Sequence, residues 1–378
     1  MKESISIQNL GPIQDIEIEN IRPLTVFVGK SGSGKSTVLK TVALFRWIFK
    51  MACIRSFLKL SGVDSSPFTF DFGTYLKNNG MEDFVNDSTC IVYKKGECEI
   101  SYTKKGLKVG NITDWDDISL EKISFISDKR NMIPEILQRN GDQKNLNFFL
   151  RESLDDYKKA TEVVKKLQID CLDVKFEVEK GQNSRDRYKI TGEGENGIYS
   201  INLTDSSSGT QTVTPLSVIM EYFTHYYDLV AALNKAIFHI LSISDRLSQF
   251  KGQKDLGSIS SKFVNFHIEE PELSLYPTSQ CQLIDFIINN CFNRQDRECD
   301  FTVMLATHSP YIVNYLNLLT IRAKNGITSE ANLSLEDMDV FEIYNGYLND
   351  LKQEDIFDTR LLSDPIEEIY SQYHDINK

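Results

Sequence analysis

A glycine-rich stretch near the amino terminus has the residue types and the spacing that bind phosphate groups. Gly29–Ser36, which reads GKSGSGKS, satisfies the P-loop pattern G-x-x-x-x-G-K-[ST]. Glycines let the backbone N–H groups turn toward one anion, and a helix that begins near Lys35 adds the positive end of its dipole. We expect Lys35 to reach the β- and γ-phosphates of a nucleotide, and Ser36 to bind Mg²⁺ through its hydroxyl. The alternative is a glycine-rich turn that binds nothing.

The residues on either side of this stretch predict the elements that a phosphate site needs. Leu24–Val28 is a short, β-branched apolar run, which is typical of a buried strand. From Ser36 onward, STVLKTVALFRWIF has apolar residues at helical spacing. Strand, loop and helix in this order favour the phosphate-binding interpretation. The candidate nucleotide-binding residues of this stretch are Gly29, Lys30, Ser31, Gly32, Ser33, Gly34, Lys35, Ser36 and Thr37.

Two later apolar runs end in side chains that can do chemistry. FVNFHIEEPE, 263–272, ends in three acids, and FTVMLATHSP, 301–310, carries His308 just after its apolar residues. The carboxyl end of a strand beside a P-loop strand is where Mg²⁺ and an attacking water lie. We expect Glu269 to hold the metal through its hydration shell and Glu270 to orient or deprotonate the water. The alternatives are a solvated acidic loop and a structural histidine.

A serine-rich turn marks a change of character near residue 204. Ser206, Ser207, Ser208 and Gly209 precede a long apolar helical pattern, so they lie where a helix begins. Such a turn offers hydroxyls and free N–H groups to an anion. On this turn alone, a simple N-cap is the favoured interpretation.

The remaining pattern predicts mixed structure around these motifs. Residues 4–21 alternate polar and apolar around Gly11-Pro12, as two antiparallel strands of a side sheet would. Residues 145–170 predict one or two amphipathic helices, too short for an extended coiled coil. Residues 340–349 indicate a last hairpin, followed by a closing helix. A hairpin turning at Lys95-Gly96 carries lysines that we expect on solvated strand faces, with nucleic-acid contact as the alternative: Lys94, Lys95, Lys104, Lys105 and Lys108.

Composition narrows the class of protein. The 378 residues carry a formal net charge of -12, which argues against a chain whose main task is coating nucleic acid, although a local basic patch is not excluded. Seven cysteines form no C-x-x-C pair, and the first residues have no apolar signal region. No apolar run approaches the roughly 20 residues of a membrane span. We therefore expect a soluble, cytoplasmic protein with no membrane partner.

Four stretches, taken together, resemble a known family. They are GKSGSGKST (29–37) as Walker A, SSSGTQ (206–211) as the signature loop, FHIEEPELSLYP (266–277) as Walker B with the following D-loop, and LATHSPYIV (305–313) as the H-switch. In this order, the chain resembles the ATP-binding-cassette (ABC) ATPases of the SMC, Rad50, RecF and OLD group. The resemblance is greatest to the short bacterial AAA family ATPases of anti-phage defence operons.

The resemblance implies a fold and a domain organisation. The fold is an α/β P-loop NTPase: an ABC ATPase head with a mixed sheet core, an antiparallel side sheet and a helical or mixed insertion lobe without a long coiled coil. The nucleotide-binding lobe is expected at 1–50 and 260–378, and the inserted lobe, with the signature loop and helix, at 51–259. No residue is assigned to the Q-loop.

The resemblance also implies roles for particular residues, with ATP and Mg²⁺ as cofactors. Lys35 matches the phosphate-binding lysine and Ser36 the Mg²⁺ ligand. Glu270 matches the catalytic glutamate and His308 the switch histidine. The signature residues that contact a γ-phosphate held by the opposite subunit correspond to Ser207 and Gly209, with Ser208 between them.

One position departs from the family pattern. Walker B commonly has Asp where this chain has Glu269. The extra methylene moves the carboxylate outward by about one carbon–carbon bond, which favours metal contact through water over direct contact. The departure therefore disfavours tight Mg²⁺ binding here, relative to the family.

The function implied is an ATP-hydrolysing switch. The P-loop and the signature of one head cannot meet around the same nucleotide, so two copies, or a higher even number, are expected to pack head to tail on ATP. The output would be read by a separate effector, such as a nuclease, in an anti-phage system. The alternatives are a RecF-like DNA-binding repair ATPase and, less favoured, a transporter ATPase subunit.

Overall fold

The computed structural model describes residues 1–63, 70–139, 146–181, 186–195, 197–244, 246–252, 254–294, 298–327 and 331–376. Its strands are β1 (Glu3–Leu10), β2 (Ile13–Ile18), β3 (Leu24–Val28), β4 (Val85–Lys95), β5 (Cys98–Thr103), β6 (Gly106–Val109), β7 (Leu120–Ile126), β8 (Lys166–Ile169), β9 (Val174–Lys180), β10 (Asp186–Gly194), β11 (Gly197–Asn202), β12 (Lys262–Glu269), β13 (Asp300–Ala306), β14 (Met338–Tyr344) and β15 (Tyr347–Asp350). Its α-helices are α1 (Lys35–Leu60), α2 (Phe72–Asn78), α3 (Ile133–Arg139), α4 (Phe148–Val163), α5 (Ser208–His225), α6 (Leu229–Ile243), α7 (Pro277–Cys291), α8 (Pro310–Lys324) and α9 (Arg360–Ile376).

Eleven of the described strands form one mixed sheet. Their order is β6-β5-β4-β1-β2-β15-β14-β3-β13-β12-β7, and the four others form an antiparallel sheet in the order β11-β10-β9-β8. In the centre of the large sheet, β14, β3, β13, β12 and β7 run parallel to one another. The predicted fold class, α/β with a mixed sheet core, is confirmed. Among the described helices the longest, α1, has 26 residues, so none forms a long coiled coil.

The P-loop strand β3 lies at the middle of the core. All five of its residues are buried, because helices cover both faces of the sheet. Phe27 packs into the apolar cluster that includes α1, whereas Val26 and Val28 pack into the cluster formed with α5, α7 and α8. The strand is therefore held from both sides, and the loop that follows it starts from a fixed point.

The predicted side sheet is present and is continuous with the core. β1 and β2 pair in antiparallel register around the turn at Gly11, as expected. β2 then meets the core hairpin β14–β15 through the pairing of Asp15 with Tyr347. The same hairpin was predicted at 340–349, and the closing helix corresponds to α9.

The region between α1 and α5 contributes to the core as well as to the insertion. β7 pairs with β12 in the central sheet, although it falls within 51–259. The division into a nucleotide-binding lobe and an inserted lobe stays a prediction. The helix predicted from 145 onward is the single helix α4, followed by β8; residue 145 itself lies outside the described residues. None of the described helices combines the length and the apolar composition that crossing a bilayer requires.

One lysine of the β4–β5 hairpin corrects the sequence interpretation. Lys94 is exposed, as expected of a solvated strand face, but Lys95 is buried. The Nζ of Lys95 lies 2.6 Å from Oε1 of Glu121 and 4.3 Å from the ring centroid of Phe263. Its charge can be buried because a buried carboxylate faces it, a tertiary contact that the alternating pattern does not encode.

Candidate active site at the carboxyl ends of the parallel strands

Strand register brings the predicted motifs to one edge of the sheet. Ala306, the last residue of β13, pairs with Phe27 of β3 on one side and with Glu269 of β12 on the other. On the far side of β12, Ile268 pairs with Ile126 at the end of β7. The P-loop, the acidic Walker B end and the H-switch therefore emerge side by side, as the sequence predicted.

The P-loop backbone adopts conformations that favour glycine. Gly29 has φ 144° and Gly34 has φ 111°, both in the region that residues with a Cβ rarely adopt. A Cβ added at Gly29 would also lie 2.6 Å from the carbonyl oxygen of Ile343, and one at Gly34 would lie 2.4 Å from Cδ1 of Ile13. The loop is thus folded tightly against β14 and the β1–β2 turn, and Gly34 leads directly into α1.

Lys35 is buried at the start of α1 and turns back over the loop. Its Nζ donates hydrogen bonds to the carbonyl oxygens of Gly29, at 2.9 Å, and Lys30, at 3.0 Å. Burial lowers the pKa of Lys35 to about 8, and the charges of Glu270 and Glu272 oppose that effect. The ammonium group is therefore held at the mouth of the P-loop with two Walker B acids near it.

Glu269 is buried and its carboxylate is held by groups from two elements. The Ser36 hydroxyl lies beside it, and Nζ of Lys40 lies 3.4 Å from Oε1. The amide N–H of Asp128, just after β7, donates to Oε2 at 3.5 Å. Burial raises the pKa of Glu269, and the charge of Lys40 acts in the opposite direction. Walker A and Walker B are thus in direct contact through Ser36 and Glu269.

Glu270 and His308 face each other beyond the strand ends. Nε2 of His308 lies 3.8 Å from Oε1 of Glu270, and both side chains are about one-third exposed, at 34% and 39%. The amide N–H of His308 donates to Oε1 of Glu272 at 2.7 Å. Glu270 has φ 43°, a left-handed conformation that is uncommon for a residue other than glycine. A carboxylate and an imidazole that reach solvent at this edge can orient a water molecule and exchange a proton.

The serine-rich turn is an N-cap, as its sequence alone favoured. Ser207 caps α5, and its hydroxyl accepts a hydrogen bond from the amide N–H of Thr210 at 3.3 Å. Ser207 and Ser208 are exposed, whereas Gly209 is buried against the D-loop, where an added Cβ would lie 2.7 Å from the carbonyl oxygen of Ser274. Within the described part of the chain, no hydrogen bond or ion pair joins Ser207, Ser208 or Gly209 to the P-loop.

Sequence reasoning missed Arg130, which lies in a short 3-10 helix after β7. The side chain is fully buried and donates to four backbone carbonyls, those of Ser127, Thr212, Glu269 and Glu270. Burial lowers its pKa to about 10, and the charges of Glu272 and Asp128 oppose this, so the guanidinium stays protonated at neutral pH. The only signal in the sequence is a basic residue soon after a short strand, which does not distinguish a buried arginine from a solvated one. Lys40 was also missed, because a helical pattern does not distinguish a lysine that contacts a buried acid from a solvated one.

The side chains at this edge fit the cofactors that the resemblance implies. Magnesium prefers oxygen ligands, and the Ser36 hydroxyl and the Glu269 carboxylate supply two adjacent oxygens. Since Lys40 and Ser36 already contact Glu269, this acid fits a metal held through water, and its role stays a prediction. For nucleotide phosphates, the tightly turned P-loop, the buried Lys35 and the start of α1 provide the required positive environment.

Comparison with known families decides the general class. The AAA_15 family, described as "AAA ATPase domain", matches residues 1–243. The chain belongs to this family. The predicted resemblance to ATPases of this kind is confirmed at that level, whereas membership of an anti-phage subgroup stays a prediction. A search of the curated proteins returned no match.

Among solved structures, this AAA ATPase-domain chain is similar to SMC heads and to RecF. "SMC head domain from Thermotoga maritima" is 10% identical, with 94% of this chain and 100% of that chain covered and a TM-score of 0.38. "Crystal structure of the SmcHead bound to the C-winged helix domain of ScpA" is 9% identical, covers 93% and 98%, and has a TM-score of 0.41. "Structure of the recombination mediator protein RecF-ATPrS in RecFOR pathway" is 10% identical, covers 93% and 99%, and has a TM-score of 0.36. Similarity at this level assigns no role to an individual residue of this chain.

Proposed function

We propose that this chain is an ATP-hydrolysing switch that dimerises head to tail on ATP. The observation that carries the proposal is the meeting of Lys35, Glu270 and His308 at one sheet edge, with Ser36 and Glu269 adjacent to each other beside them. That set contains the groups needed to hold phosphates, position a metal and direct a water. A glycine-rich turn without a function would not need acids and a histidine gathered around it.

Each residue has a defined part in the proposed reaction. The P-loop amides and Lys35 hold the β- and γ-phosphates. Ser36 and Glu269 would hold Mg²⁺, which would neutralise phosphate charge when bound. Glu270 accepts a hydrogen bond from the attacking water and orients it toward the γ-phosphate. His308, 3.8 Å from that carboxylate, holds the water or the γ-phosphate from the other side. The Glu270 carboxylate and the His308 imidazole both reach solvent, so a water molecule has access to both.

The signature turn supports a dimer. Ser207 and Ser208 present exposed hydroxyls at the start of α5, where the helix dipole attracts an anion. No bond in the described residues joins this turn to the P-loop of the same chain, so its anion is best supplied by a second copy. Two such contacts related by a twofold axis close a symmetric dimer. When Glu270 directs hydrolysis, the contact of Ser207 with the γ-phosphate is lost, and the dimer opens.

The output of the switch is the finer part of the proposal. We assign it to a partner effector, a nuclease in an anti-phage system, as the resemblance implies. Among the residues that the structure describes, no group of three or more His, Cys, Asp or Glu side chains is placed to hold a metal, and so none suggests a nuclease centre. The alternative, a RecF-like DNA-binding ATPase, predicts duplex binding that strengthens with ATP and weakens with salt.

Subunit complementation tests the shared site. Glu270→Gln and Ser207→Arg are each expected to abolish turnover, because each removes one half of both sites. In a one-to-one mixture, half of the dimers are mixed, and each mixed dimer has one intact site. The mixture is therefore expected to recover up to about a quarter of the wild-type rate.

The controls define what the result means. Glu270→Gln mixed with His308→Ala places both defects in the same half of the site, and this pair is expected to recover nothing. Recovery by the first pair alone supports a composite site. Absence of recovery by the first pair, with both proteins folded and binding nucleotide, contradicts head-to-tail assembly and leaves an ATPase with a self-contained site.

A further inference from the structure

Arg130 is a fully buried side chain that the proposed reaction does not use directly. Its guanidinium donates to the carbonyl oxygens of Glu269 and Glu270, both at 2.7 Å. It also donates to the carbonyl oxygens of Ser127 and Thr212, both at 3.1 Å. Four of the five N–H donors of an arginine are thus engaged with three separate segments of the chain. Such a residue fixes the relative position of the segments that it joins.

The first of these segments is the catalytic end of Walker B. Glu270 has a left-handed backbone, and its amide N–H donates to the carbonyl oxygen of Ala306 at 2.8 Å. Arg130 holds the other side of the same residue through its carbonyl. Since the acceptors are backbone atoms, the guanidinium sets the direction in which the Glu270 side chain leaves the strand. A displaced backbone here would move the carboxylate away from the water that it orients.

The second segment is the start of α5, which carries the signature turn. Thr212 lies five residues after Ser207, and its own hydroxyl donates to the carbonyl oxygen of Ser208 at 2.8 Å. Gly209 in the same turn packs on the carbonyl oxygen of Ser274 in the D-loop. Arg130 and this close contact therefore link one rigid helix start to the loop that follows Glu270.

We infer that Arg130 is a positioning residue that couples the two nucleotide sites of the dimer. It holds Glu270 for hydrolysis in the site of its own chain. Through Thr212 it also holds the signature turn that its chain contributes to the site of the second copy. The second half of this inference rests on the proposed head-to-tail dimer, whereas the first half holds for a single chain.

The first experiment separates positioning from stability by comparing two buried arginines. Arg46 is also fully buried; its Nε lies 2.7 Å from Oε1 of Glu3, and it is about 16 Å along α1 from Lys35. Arg130→Lys keeps the charge but cannot reach three segments, so kcat is expected to fall by about tenfold or more while the dissociation constant for ATP stays within about threefold. Arg46→Lys is expected to lower the unfolding midpoint while leaving kcat within about threefold.

Thermal unfolding and ATP binding are measured on both variants, so that any loss of folded protein is counted separately. A kcat of Arg130→Lys equal to that of the wild type overturns the inference. So does an equal fall in kcat for both variants, which would mean that the loss follows general destabilisation. If Arg130→Lys does not fold, Arg130→Gln, which retains donors to part of the carbonyl set, replaces it in the same comparison.

The second experiment tests the coupling by mixing variants. With Ser207→Arg as partner, the one remaining site of a mixed dimer uses Glu270 and Arg130 of the Ser207→Arg chain, and only the signature turn of the Arg130→Lys chain. If Arg130 holds that turn, recovery is expected to stay about tenfold below that of the Glu270→Gln and Ser207→Arg pair. Recovery equal to that pair overturns the coupling and leaves Arg130 acting on its own Glu270 alone. Should the reference pair itself fail to recover, the dimer is contradicted, and the first experiment alone decides the positioning role.

Discussion

The hydroxyl of Ser36 lies beside the carboxylate of Glu269, so that Walker A adjoins Walker B. The two residues are far apart in sequence, and the parallel pairing of β3, β13 and β12 brings them to the same sheet edge. Lys40, four residues after Ser36 and so on the same face of α1, lies 3.4 Å from the same carboxylate. The oxygens suited to magnesium are therefore adjacent, and a fixed cation stands beside them.

Ser36→Ala is expected to remove the magnesium dependence of nucleotide binding. The variant keeps Lys35 and the P-loop amides, so binding in EDTA should stay within about threefold of the wild type. The increase in affinity on adding Mg²⁺ should be lost, because the hydroxyl ligand is gone. Titration of a fluorescent ATP analogue with and without Mg²⁺ measures both. Ser31→Ala, at an exposed P-loop position, is the control, and a Ser36→Ala protein that still responds fully to Mg²⁺ contradicts the assignment.

Lys40→Met is expected to lower the magnesium concentration needed for half-saturation by roughly three- to tenfold at pH 8. Lys40 and Mg²⁺ are both cations drawn to Glu269, so removing the ammonium removes a competitor for a buried carboxylate. Mg²⁺ titration of the nucleotide complex is the measurement. Lys59→Met, on the exposed last turn of the same helix, should leave the value unchanged. A higher half-saturating magnesium concentration for Lys40→Met would mean that Lys40 supports the metal site.

The sequence was sufficient for those parts of the fold and site that local pattern determines. The apolar run Leu24–Val28, the glycines after it and the helical spacing from Ser36 each encode their own element, and β3 and α1 formed as predicted. The roles of Glu270 and His308 stay predictions, although their strands end at the expected edge. Arg130, Lys40 and Lys95 could not be found, because an exposed and a buried basic residue have the same local pattern. Whether such a side chain is solvated or contacts a buried partner depends on where the fold places its acceptors.

The stability of the fold is expected to depend on the protonation of Glu3 in acid. Burial raises the pKa of Glu3, but the charges of Arg46 and Lys95 outweigh it and lower the pKa to about 2 from 4.5. Because the pKa is depressed in the folded chain, the stabilisation is present above pH 4.5 and is lost as the pH falls toward 2. The difference corresponds to about 3 kcal/mol of unfolding free energy.

Urea unfolding of Glu3→Gln from pH 6 to pH 3 tests this dependence. The variant is expected to be less stable than the wild type at pH 6, since Arg46 loses its carboxylate partner and Lys95 loses one of its two. The difference in unfolding free energy between the variant and the wild type should narrow as the pH falls below 4.5, where the wild type begins to lose the same interaction. Glu99→Gln, which changes an exposed carboxylate, should differ from the wild type in unfolding free energy by the same amount at every pH. If the difference in unfolding free energy between Glu3→Gln and the wild type does not change with pH, Glu3 is not the group that titrates.

Glu270→Gln is expected to bind ATP and hydrolyse it at least a hundredfold more slowly than the wild type. Glutamine has nearly the same shape, so the P-loop and the 3.8 Å approach to His308 are kept, but the amide does not accept a proton from the attacking water. If the γ-phosphate closes the dimer, the variant should accumulate as dimers when ATP is added and stay monomeric with ADP. Light scattering gives the mass, and phosphate release gives the rate. Glu272→Gln, whose carbonyl can still accept the His308 amide, is the matched control and should retain most of the turnover. Unchanged turnover of Glu270→Gln would place the water-directing carboxylate elsewhere at the sheet edge.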